Sequence, residues 1–430
     1  MLRIIRSTDK KALDRLLRAR QTRLEAAEPV ARRILEDVRR QGDRALVRYA
    51  RQFDGVDLRQ EGFTVSAREV REACRSAPRS VIAALRVAAR NIRAVAARQL
   101  PRPWQAANGA GIKVGQLVRP LDRVACYIPG GRFPLPSTVL MSVIPAQVAG
   151  VREIVITSPR PAPTVLVAAD FLGIKEIFRL GGAQAIAAFA YGTESVLRAD
   201  KIVGPGNRYV AAAKKLVAGE CGIDFVAGPT ELVVVGSHGR PQWIASDLLA
   251  QAEHDPDAVA IFITPSRRLA LRVHASVTSI LEELNSDGAD GAANAKKSLA
   301  RQGAIILTRD LSEAVGLANT LAPEHLTLTE GASQMLDRVT SAGSIFLGDY
   351  SAVAAGDYAS GSNHILPTGG AARLRGGLSA ADFVKAISVQ RLSRHGLARL
   401  RRTIATLAAV EGLKAHARSV ETRFKSGSGK

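Results

Sequence analysis

Hydrophobic positions change their spacing along this chain near Asp122. Over the first hundred residues, apolar residues recur every three or four positions between charged ones. This spacing predicts amphipathic helices, beginning with a basic helix at the N-terminus. After Asp122, short apolar runs end in Gly/Pro turns, and each is followed by an Ala-rich segment of helical length. This alternation predicts an α/β protein with parallel sheets of the doubly wound type.

Seven apolar runs are predicted to form the strands of these sheets: 123–128, 153–157, 176–180, 201–203, 232–235, 259–264 and 304–307. From Ala380 the pattern returns to that of a basic helix. The chain then ends in a Ser/Gly/Lys-rich tail, which we expect to fray.

Composition limits the class of protein. With 430 residues, of which 47% are hydrophobic, the chain can bury substantial cores and should form two or more domains. No run approaches about eighteen apolar residues, so we expect no transmembrane helix, and the N-terminus lacks the apolar core of a secretory signal. The three cysteines, Cys74, Cys126 and Cys221, are few and far apart, which favours the reducing cytoplasm.

The formal net charge of +21 raises the alternative of a basic nucleic-acid-binding protein. Against this alternative, Lys and Arg are dispersed along the chain, and no zinc-finger spacing occurs. Aromatic residues make up 4% of the chain, which is poor for base stacking. The charge therefore favours an Arg-rich solvated surface, with non-specific attraction to polyanions at low salt.

Three Gly-rich turns follow predicted strands, at 129–132, 181–184 and 204–207. Ligands of doubly wound sheets bind beyond the carboxyl ends of the strands, where such turns offer backbone N–H groups to phosphates. None of the turns has the G-x-G-x-x-G spacing of a dinucleotide fingerprint. From spacing alone they are equally well explained as strand-to-helix connectors.

Gln251 and His254 lie three residues apart at the end of a predicted amphipathic helix, so they share a face. An amide oxygen and an imidazole on one face can bind a divalent metal. Four of the seven histidines, His254, His325, His364 and His416, lie in short polar clusters beside a carboxylate or an amide or near the C-terminus. Several such clusters favour a site over isolated structural histidines.

Nine motifs occur in an order that resembles the histidinol dehydrogenase family: YIPGGR, GGAQAIAAFAYGT, VGPGNRYVAAAK, GPTEL, SDLLAQAEHDP, APEHL, GDYASGSNHILPT, GLSAADFVK and EGLKAHARSV. The resemblance extends from about residue 20 to about residue 420. It implies a cytoplasmic homodimer that oxidises L-histidinol to L-histidine through the aldehyde, with reduction of two NAD⁺. A zinc-dependent dehydrogenase of the same fold acting on another polar alcohol is the nearest alternative.

The resemblance also implies the metal and catalytic residues. One zinc ion per subunit would be bound by Gln251, His254 and Asp357, with His416 contributed by the partner subunit. Such an N/O set suits Zn²⁺. His325 would be the general base for the alcohol, and Glu324 would activate the water that attacks the aldehyde. Outside the motif, Pro323-Glu324-His325-Leu326 is also explained as a helix-to-strand turn with two solvated polar residues.

Further contacts follow from the same resemblance. Thr230 and His364 would contact the substrate, together with His325 and the four metal-binding residues. Glu411 of the partner subunit would pair with the substrate ammonium or an adjacent polar group, which disfavours a sulfonated substrate. NAD⁺ would be contacted by Tyr127, Gln184 and Asn207. Local turns, caps and strand ends are the structural alternatives for Thr230, His364 and the three NAD⁺ positions, and Cys126 is expected to be a core residue rather than a nucleophile.

The fold implied is two incomplete doubly wound, Rossmann-like parallel-sheet domains, with helical terminal segments exchanged in a homodimer. We divide the chain accordingly into a small terminal domain (1–20 and 379–403), a metal- and substrate-binding domain (21–125 and 230–378), an NAD-binding domain (126–229) and an exchanged C-terminal segment (404–430).

Overall fold

A computed structural model describes residues 2–18, 22–130, 134–286 and 291–425. Its strands are β1 (Arg3–Arg6), β2 (Trp104–Ala107), β3 (Ile112–Pro120), β4 (Arg123–Tyr127), β5 (Glu153–Thr157), β6 (Ile177–Phe178), β7 (Lys201–Val203), β8 (Gly222–Ile223), β9 (Glu231–Val235), β10 (Val259–Thr264), β11 (Ala304–Leu307), β12 (His325–Leu328), β13 (Ser344–Leu347) and β14 (Val384–Leu392).

The α-helices are α1 (Lys10–Arg18), α2 (Thr22–Gln41), α3 (Asp43–Tyr49), α4 (Leu58–Glu61), α5 (Ala67–Ser76), α6 (Arg79–Gln99), α7 (Pro136–Ala149), α8 (Pro163–Phe171), α9 (Gly182–Tyr191), α10 (Arg208–Val217), α11 (Pro241–Glu253), α12 (Arg267–Ser286), α13 (Ala292–Gln302), α14 (Leu311–Leu321), α15 (Val353–Tyr358), α16 (Arg394–Val410) and α17 (Lys414–Glu421). A π-helical turn (Ala50–Asp54) and three 3₁₀ helices (Glu330–Arg338, Ala371–Arg373 and Ala380–Phe383) complete the set.

The described chain forms two compact units, one of residues 1–99 and 121–383 and the other of residues 100–120 and 384–430. The first unit contains a five-stranded parallel sheet in the order β6-β5-β4-β7-β8. It also contains a six-stranded parallel sheet in the order β1-β11-β10-β9-β12-β13.

The five-stranded sheet is covered by helices on both faces. Successive residues of a strand point to opposite faces, so Ala125 of β4 packs with α2, α3, α9 and α10, whereas Val124 and Cys126 pack with α5 to α8. Strands buried on both faces require continuous apolar runs, which explains why this part of the sequence could be divided into strands so directly.

The six-stranded sheet is built in the same way. Leu232 and Val234 of β9 pack against α11, α12 and α13, whereas Val233 and Val235 pack against α1 and α14. Its strands β9 and β12 are parallel neighbours, with Leu232 opposite His325. This register brings the beginnings of two strands that are about ninety residues apart in sequence to the same edge of the sheet.

The second unit is a three-stranded antiparallel sheet, β14-β3-β2, with the helices α16 and α17. This unit exposes several large apolar side chains. Only Gly396 and Ala408 are buried among the residues of α16, while Leu407 and Val410 of the same helix are exposed.

The prediction of an α/β chain with parallel sheets is confirmed. The predicted strands at 153–157, 201–203, 259–264 and 304–307 have the observed bounds. Two predictions of local structure are wrong: the N-terminus begins with the edge strand β1 rather than a helix, and the segment after Ala380 forms β14 before α16 begins. The domain division and the exchange of the terminal segments stay predictions.

No helix among the described residues is long and apolar enough to span a membrane.

Candidate active site

The predicted catalytic residues lie at the amino edge of the six-stranded sheet. His325 begins β12 and Glu324 directly precedes it, while Thr230 directly precedes the neighbouring β9. The left-handed backbone of Ala322 (φ 46°) ends α14 and turns the chain into this edge. The alternative of a turn at 323–326 with two solvated polar residues is wrong, because His325 and Leu326 belong to β12 and Glu324 and His325 are 7% and 4% exposed.

A chain of side-chain hydrogen bonds holds Glu324. Gln251 Nε2 donates to Thr230 Oγ1 over 2.5 Å, and Thr230 Oγ1 donates to Glu324 Oε2 over 2.5 Å. The backbone N–H of Glu231 donates to the same carboxylate oxygen at 2.8 Å. Burial raises the pKa of Glu324 to about 7 despite these donors and the charge of His325. A carboxyl that titrates near neutrality can act as a proton acceptor at that pH.

The imidazole of His325 is fixed in one tautomer by the backbone. Its Nδ1 lies 3.1 Å from the carbonyl oxygen of Glu231, so Nδ1–H donates and Nε2 carries the lone pair of the neutral ring. Nε2 is buried and has no hydrogen-bond partner within the described parts of the chain. Asp357 Oδ1 lies 3.6 Å away, which is an ion-pair separation rather than a hydrogen bond.

The pKa of His325 is raised. Burial by itself would lower it, but the carboxylates of Glu324 and Asp357 outweigh that effect because they favour the imidazolium. For Asp357, burial acts to raise the pKa, but the adjacent imidazole of His325 and the charges of His364 and His254 hold it below its usual range. An unpartnered Nε2 beside an ionised carboxylate is therefore a competent base.

Three of the four predicted metal ligands belong to the first unit. Gln251 is buried near the end of α11, His254 caps that helix and is exposed, and Asp357 lies on α15. Because Gln251 Nε2 donates to Thr230, its carboxamide oxygen is the atom left for a cation. Imidazole, carboxylate and amide oxygen suit zinc by type.

The fourth predicted ligand, His416, lies on α17 of the second unit, and Glu411 is the residue that ends α16 in that unit. Within the described residues, no three His, Cys, Asp or Glu side chains form a group able to hold a metal. The first unit supplies only one imidazole and one carboxylate of the predicted set, and its third ligand is an amide.

His364 is held by protein groups at both ring nitrogens. Nδ1 lies 2.8 Å from the carbonyl oxygen of Asp357, and Nε2 lies 3.2 Å from Thr138 Oγ1. With Nδ1–H donating, Nε2 accepts from the hydroxyl. Burial lowers the pKa of His364, so the ring is neutral at neutral pH. Its predicted contact with substrate stays a prediction.

The three predicted NAD⁺ contacts line one cavity of about 440 Å³ at the carboxyl edge of the five-stranded sheet. The Tyr127 hydroxyl accepts from the Gly182 N–H at 3.1 Å, and burial raises its pKa to about 12. Asn207 accepts from the first backbone N–H groups of α10 and so caps that helix. Gln184 Nε2 donates to Asp54 at 3.0 Å.

A second cavity, of about 740 Å³, adjoins the first and shares Asn207 with it. One wall is formed by Gly206 and Asn207, which follow β7, and another by Gly228 and Pro229, which precede β9. The cavities therefore lead from the carboxyl edge of one sheet to the amino edge of the other. Gly131 and Arg132 of the first predicted turn lie outside the described residues.

Sequence reasoning did not select two residues that the geometry brings forward. Glu231 is 1% exposed and supplies the N–H that binds Glu324 and the carbonyl that orients His325. A carboxylate opening an otherwise apolar strand was the available signal. Asp54 lines the 440 Å³ cavity with Tyr127, Gln184 and Asn207, and nothing in its local sequence distinguishes it. Cys126 is fully buried and its thiol pKa is raised by burial, as its interpretation as a core residue requires.

Known proteins resemble this chain over nearly its whole length. The family model of histidinol dehydrogenase matches residues 17–424. The histidinol dehydrogenase of Methanothermobacter thermautotrophicus is 48% identical over 400 residues, 91% of this chain and 92% of the relative. That of Syntrophotalea carbinolica is 47% identical over 420 residues, 96% of each. The crystal structure of histidinol dehydrogenase from Elizabethkingia anophelis is 36% identical, with a TM-score of 0.87 and coverage of 92% of both chains. These matches confirm the resemblance of the nine motifs, and the chain belongs to the histidinol dehydrogenase family.

Proposed function

We propose that this chain catalyses the zinc-dependent oxidation of L-histidinol to L-histidine through L-histidinaldehyde, with two NAD⁺ as hydride acceptors. The observation that carries the proposal is the buried Glu324-His325 pair. One residue is a carboxyl with a pKa near 7, and the other is an imidazole whose free nitrogen lies beside a carboxylate. Two bases with separate supports are what an alcohol oxidation followed by an aldehyde oxidation requires.

Zinc held by Gln251, His254, Asp357 and His416 of a second subunit would bind the imidazole and amine of histidinol and orient its alcohol carbon toward a nicotinamide, which accepts hydride. The donor set in the first unit fits such an ion by chemical type, as described above. The adjoining cavities offer space for the cofactor on the side of Tyr127, Gln184 and Asn207.

In the first step, Nε2 of His325 takes the proton of the alcohol oxygen as hydride leaves the carbon, and the aldehyde forms. The Glu231 carbonyl keeps Nδ1 protonated, so only Nε2 can accept. Asp357, with its depressed pKa, remains anionic beside the imidazolium and stabilises it.

In the second step, Glu324 takes a proton from the water that attacks the aldehyde, and hydride leaves the hydrate to give the acid. One alcohol and one water thus become one carboxylate, two hydrides and three protons. Thr230 and the Glu231 N–H hold one oxygen of Glu324, which leaves the other to face water.

We further propose that the active unit is a homodimer. Leu407, Val410 and Leu413 are exposed on and beside α16, and Trp104 and Ile387 are exposed on the sheet of the same unit. An apolar surface of this kind is typical of an interface between copies of a chain. Glu411 and His416 belong to this unit, so a second subunit would bring an anion for the substrate ammonium and a ligand for zinc. A sulfonated alcohol would be repelled by Glu411.

The direct test is NADH formation from L-histidinol with and without a chelator, alongside a panel of other polar alcohols. We expect chelator-sensitive NADH formation that is strongest with histidinol. His254→Ala and Asp357→Ala should lower bound zinc and activity together, because each leaves an incomplete coordination shell. His274→Ala, a histidine outside the predicted set, serves as the control. Full zinc retention in both variants would contradict the ligand assignment.

Subunit mixing tests the shared site. His254→Ala and His416→Ala proteins should each be inactive, and mixtures that exchange subunits should regain about a quarter of wild-type activity, because half the dimers are mixed and each carries one intact site. A mixture that exchanges subunits but remains inactive would show that His416 does not complete a partner's site.

We also propose that the protein is located in the cytoplasm. Its three cysteines are free thiols, one partly buried and two buried, which suits a reducing compartment.

A further inference from the structure

The five-stranded sheet has the strand order of nucleotide-binding domains. The strand that comes first in the chain, β4, lies between β5 and β7. In such sheets a carboxylate near the end of the second strand binds the ribose hydroxyls of NAD, and its charge disfavours the 2′-phosphate of NADP. Here the second strand, β5, is followed by Ser158-Pro159-Arg160 and carries no acid at its end.

Asp54 supplies a carboxylate at this place from a distant part of the chain. It ends the π-helical turn after α3. A Cβ added to Gly181 would lie 2.9 Å from Asp54 Oδ1 and 2.7 Å from Pro159 Cγ, so the carboxylate and the segment after β5 converge on one point. Arg160, in turn, donates to the carbonyl of Gly55 at 2.5 Å.

The carboxylate is oriented by the turn that begins α9. Gln184 Nε2 donates to Asp54 Oδ2 at 3.0 Å, and the backbone of Gly181 also hydrogen-bonds to Asp54. Burial raises the pKa of Asp54 to about 6, which still leaves it mainly ionised at neutral pH. An anion at this position accepts hydroxyl groups and repels phosphates.

A second observation indicates a ligand here. Gln184 is fully buried, and its carboxamide oxygen has no hydrogen-bond partner among the residues described by the structure. Orphaned buried acceptors are rare, because leaving a buried polar group without a hydrogen bond destabilises the fold. The cavity that contains Gln184 and Asp54 also has apolar lining groups, including Val30, Ile34 and Phe53, which suit the flat base of an adenosine.

We propose that Asp54 binds the adenosine ribose hydroxyls of the dinucleotide and makes the enzyme select NAD⁺ over NADP⁺. The inference rests on the proposed use of a nicotinamide cofactor and adds the residue that determines which one. Arg160 lies beside Asp54 and would attract a 2′-phosphate once the carboxylate is neutralised.

Binding of ADP-ribose and of 2′-phospho-ADP-ribose, measured by calorimetry on the full-length protein, tests this without turnover. Wild type should bind ADP-ribose at least about tenfold more tightly. Asp54→Asn keeps the shape but removes the charge, so this preference should fall by about tenfold or more. Adding Arg160→Ala should weaken the binding of the 2′-phosphate ligand again. Asp14→Asn, at an exposed carboxylate on α1, changes the net charge equally and should leave the preference unchanged.

The kinetic counterpart is the ratio of kcat/KM for NAD⁺ and NADP⁺ with histidinol. A wild-type protein that binds both ligands equally overturns the assignment even without a variant. So does a folded Asp54→Asn protein whose preference stays within about twofold of wild type. If wild type forms NADH from histidinol in that case, only the role of Asp54 is lost. If it neither binds ADP-ribose nor oxidises histidinol, the proposed function fails as well.

Discussion

Glu324→Gln should make the protein more stable relative to wild type as the pH rises. The carboxyl is 7% exposed, and burial raises its pKa from 4.5 to about 7. Folded protein therefore binds a proton more tightly than unfolded protein between these two values. The stabilisation of wild type by this group is complete below about pH 4.5 and is lost as the pH rises through about 7. Glutamine does not titrate and carries no such loss.

The shift of about 2.5 pH units corresponds to about 3 kcal/mol. The charge of Glu324 also raises the pKa of His325, and loss of that effect acts in the same direction. Glutamine can accept the hydrogen bonds from Thr230 and Glu231 through its oxygen, but its amide hydrogens need partners. That cost is independent of pH, at about 1–3 kcal/mol. The slope of the difference against pH is therefore the informative quantity.

The assay is the thermal midpoint of both proteins between about pH 5 and about pH 8. Unfolding entropy is about 2 cal/mol/K per residue, so about 3 kcal/mol shifts the midpoint of a unit the size of the first by about 4 °C. Between these pH values, we expect the thermal midpoint of the variant to rise by about 4 °C relative to that of wild type. It should also lose about a hundredfold or more in the oxidation of isolated histidinaldehyde. His325→Asn should instead impair oxidation of the alcohol more than oxidation of the aldehyde, because His325 takes the proton of the alcohol.

Two results would refute this reasoning. Parallel pH dependences of the two midpoints would mean that Glu324 is not held near its neutral form by burial. Normal kinetics of Glu324→Gln with histidinaldehyde would remove its role as the base for water. The first result concerns the electrostatics of the site and the second concerns its chemistry, so either part of the reasoning can be refuted without the other.

Two further substitutions test the turn that carries Asn207. Gly204 has φ 118°, and a Cβ there would collide with the Tyr127 carbonyl, so Gly204→Ala should lower the stability by about 3 kcal/mol, measured as a lower thermal midpoint. Gly219→Ala is the control: a Cβ at Gly219 would have no atom within 4 Å, so the midpoint should change little. Lys214→Met leaves its buried partner Asp224 without its ion pair, so the stability should fall by about 3–5 kcal/mol in the same assay. Lys215→Met removes a half-exposed ion pair, so the stability should fall by less than about 1 kcal/mol. Equal effects within either pair would contradict the packing described here.

The sequence predicted the strands that are buried on both faces and missed those that are not. β10 and β11 are continuous apolar runs, and their bounds were predicted correctly. β3 and β14 pair over nine residues, yet most of their side chains are partly or fully exposed, so no clear two-residue alternation marks them. β1 is a short edge strand that is basic at both ends, and its pattern cannot be separated from that of the following helix.

Candidate site residues could be named from the sequence only because the motifs resemble a family. Their arrangement could not be predicted. The hydrogen bond between Thr230 and Glu324 joins residues 94 positions apart, and it depends on the pairing of β9 with β12, which local periodicity does not encode. The tautomer of His325 depends on a single backbone carbonyl. No sequence pattern marks Asp54, because its proposed role depends on the residues that pack beside it, Pro159, Gly181 and Gln184.

The two edges that form the site differ in electrostatic character because of how the chain is wound. In a parallel sheet, each connecting helix runs antiparallel to the strands, so helices begin at the carboxyl edge and end at the amino edge. The cofactor-side cavities therefore adjoin the starts of α9 and α10, whose partial positive charge favours an anion such as a diphosphate. Gln251 and His254 lie at the end of α11, whose partial negative charge favours a cation. A site built from the carboxyl edge of one sheet and the amino edge of another can hold an anionic cofactor and a metal ion close together, each stabilised by the helix ends beside it.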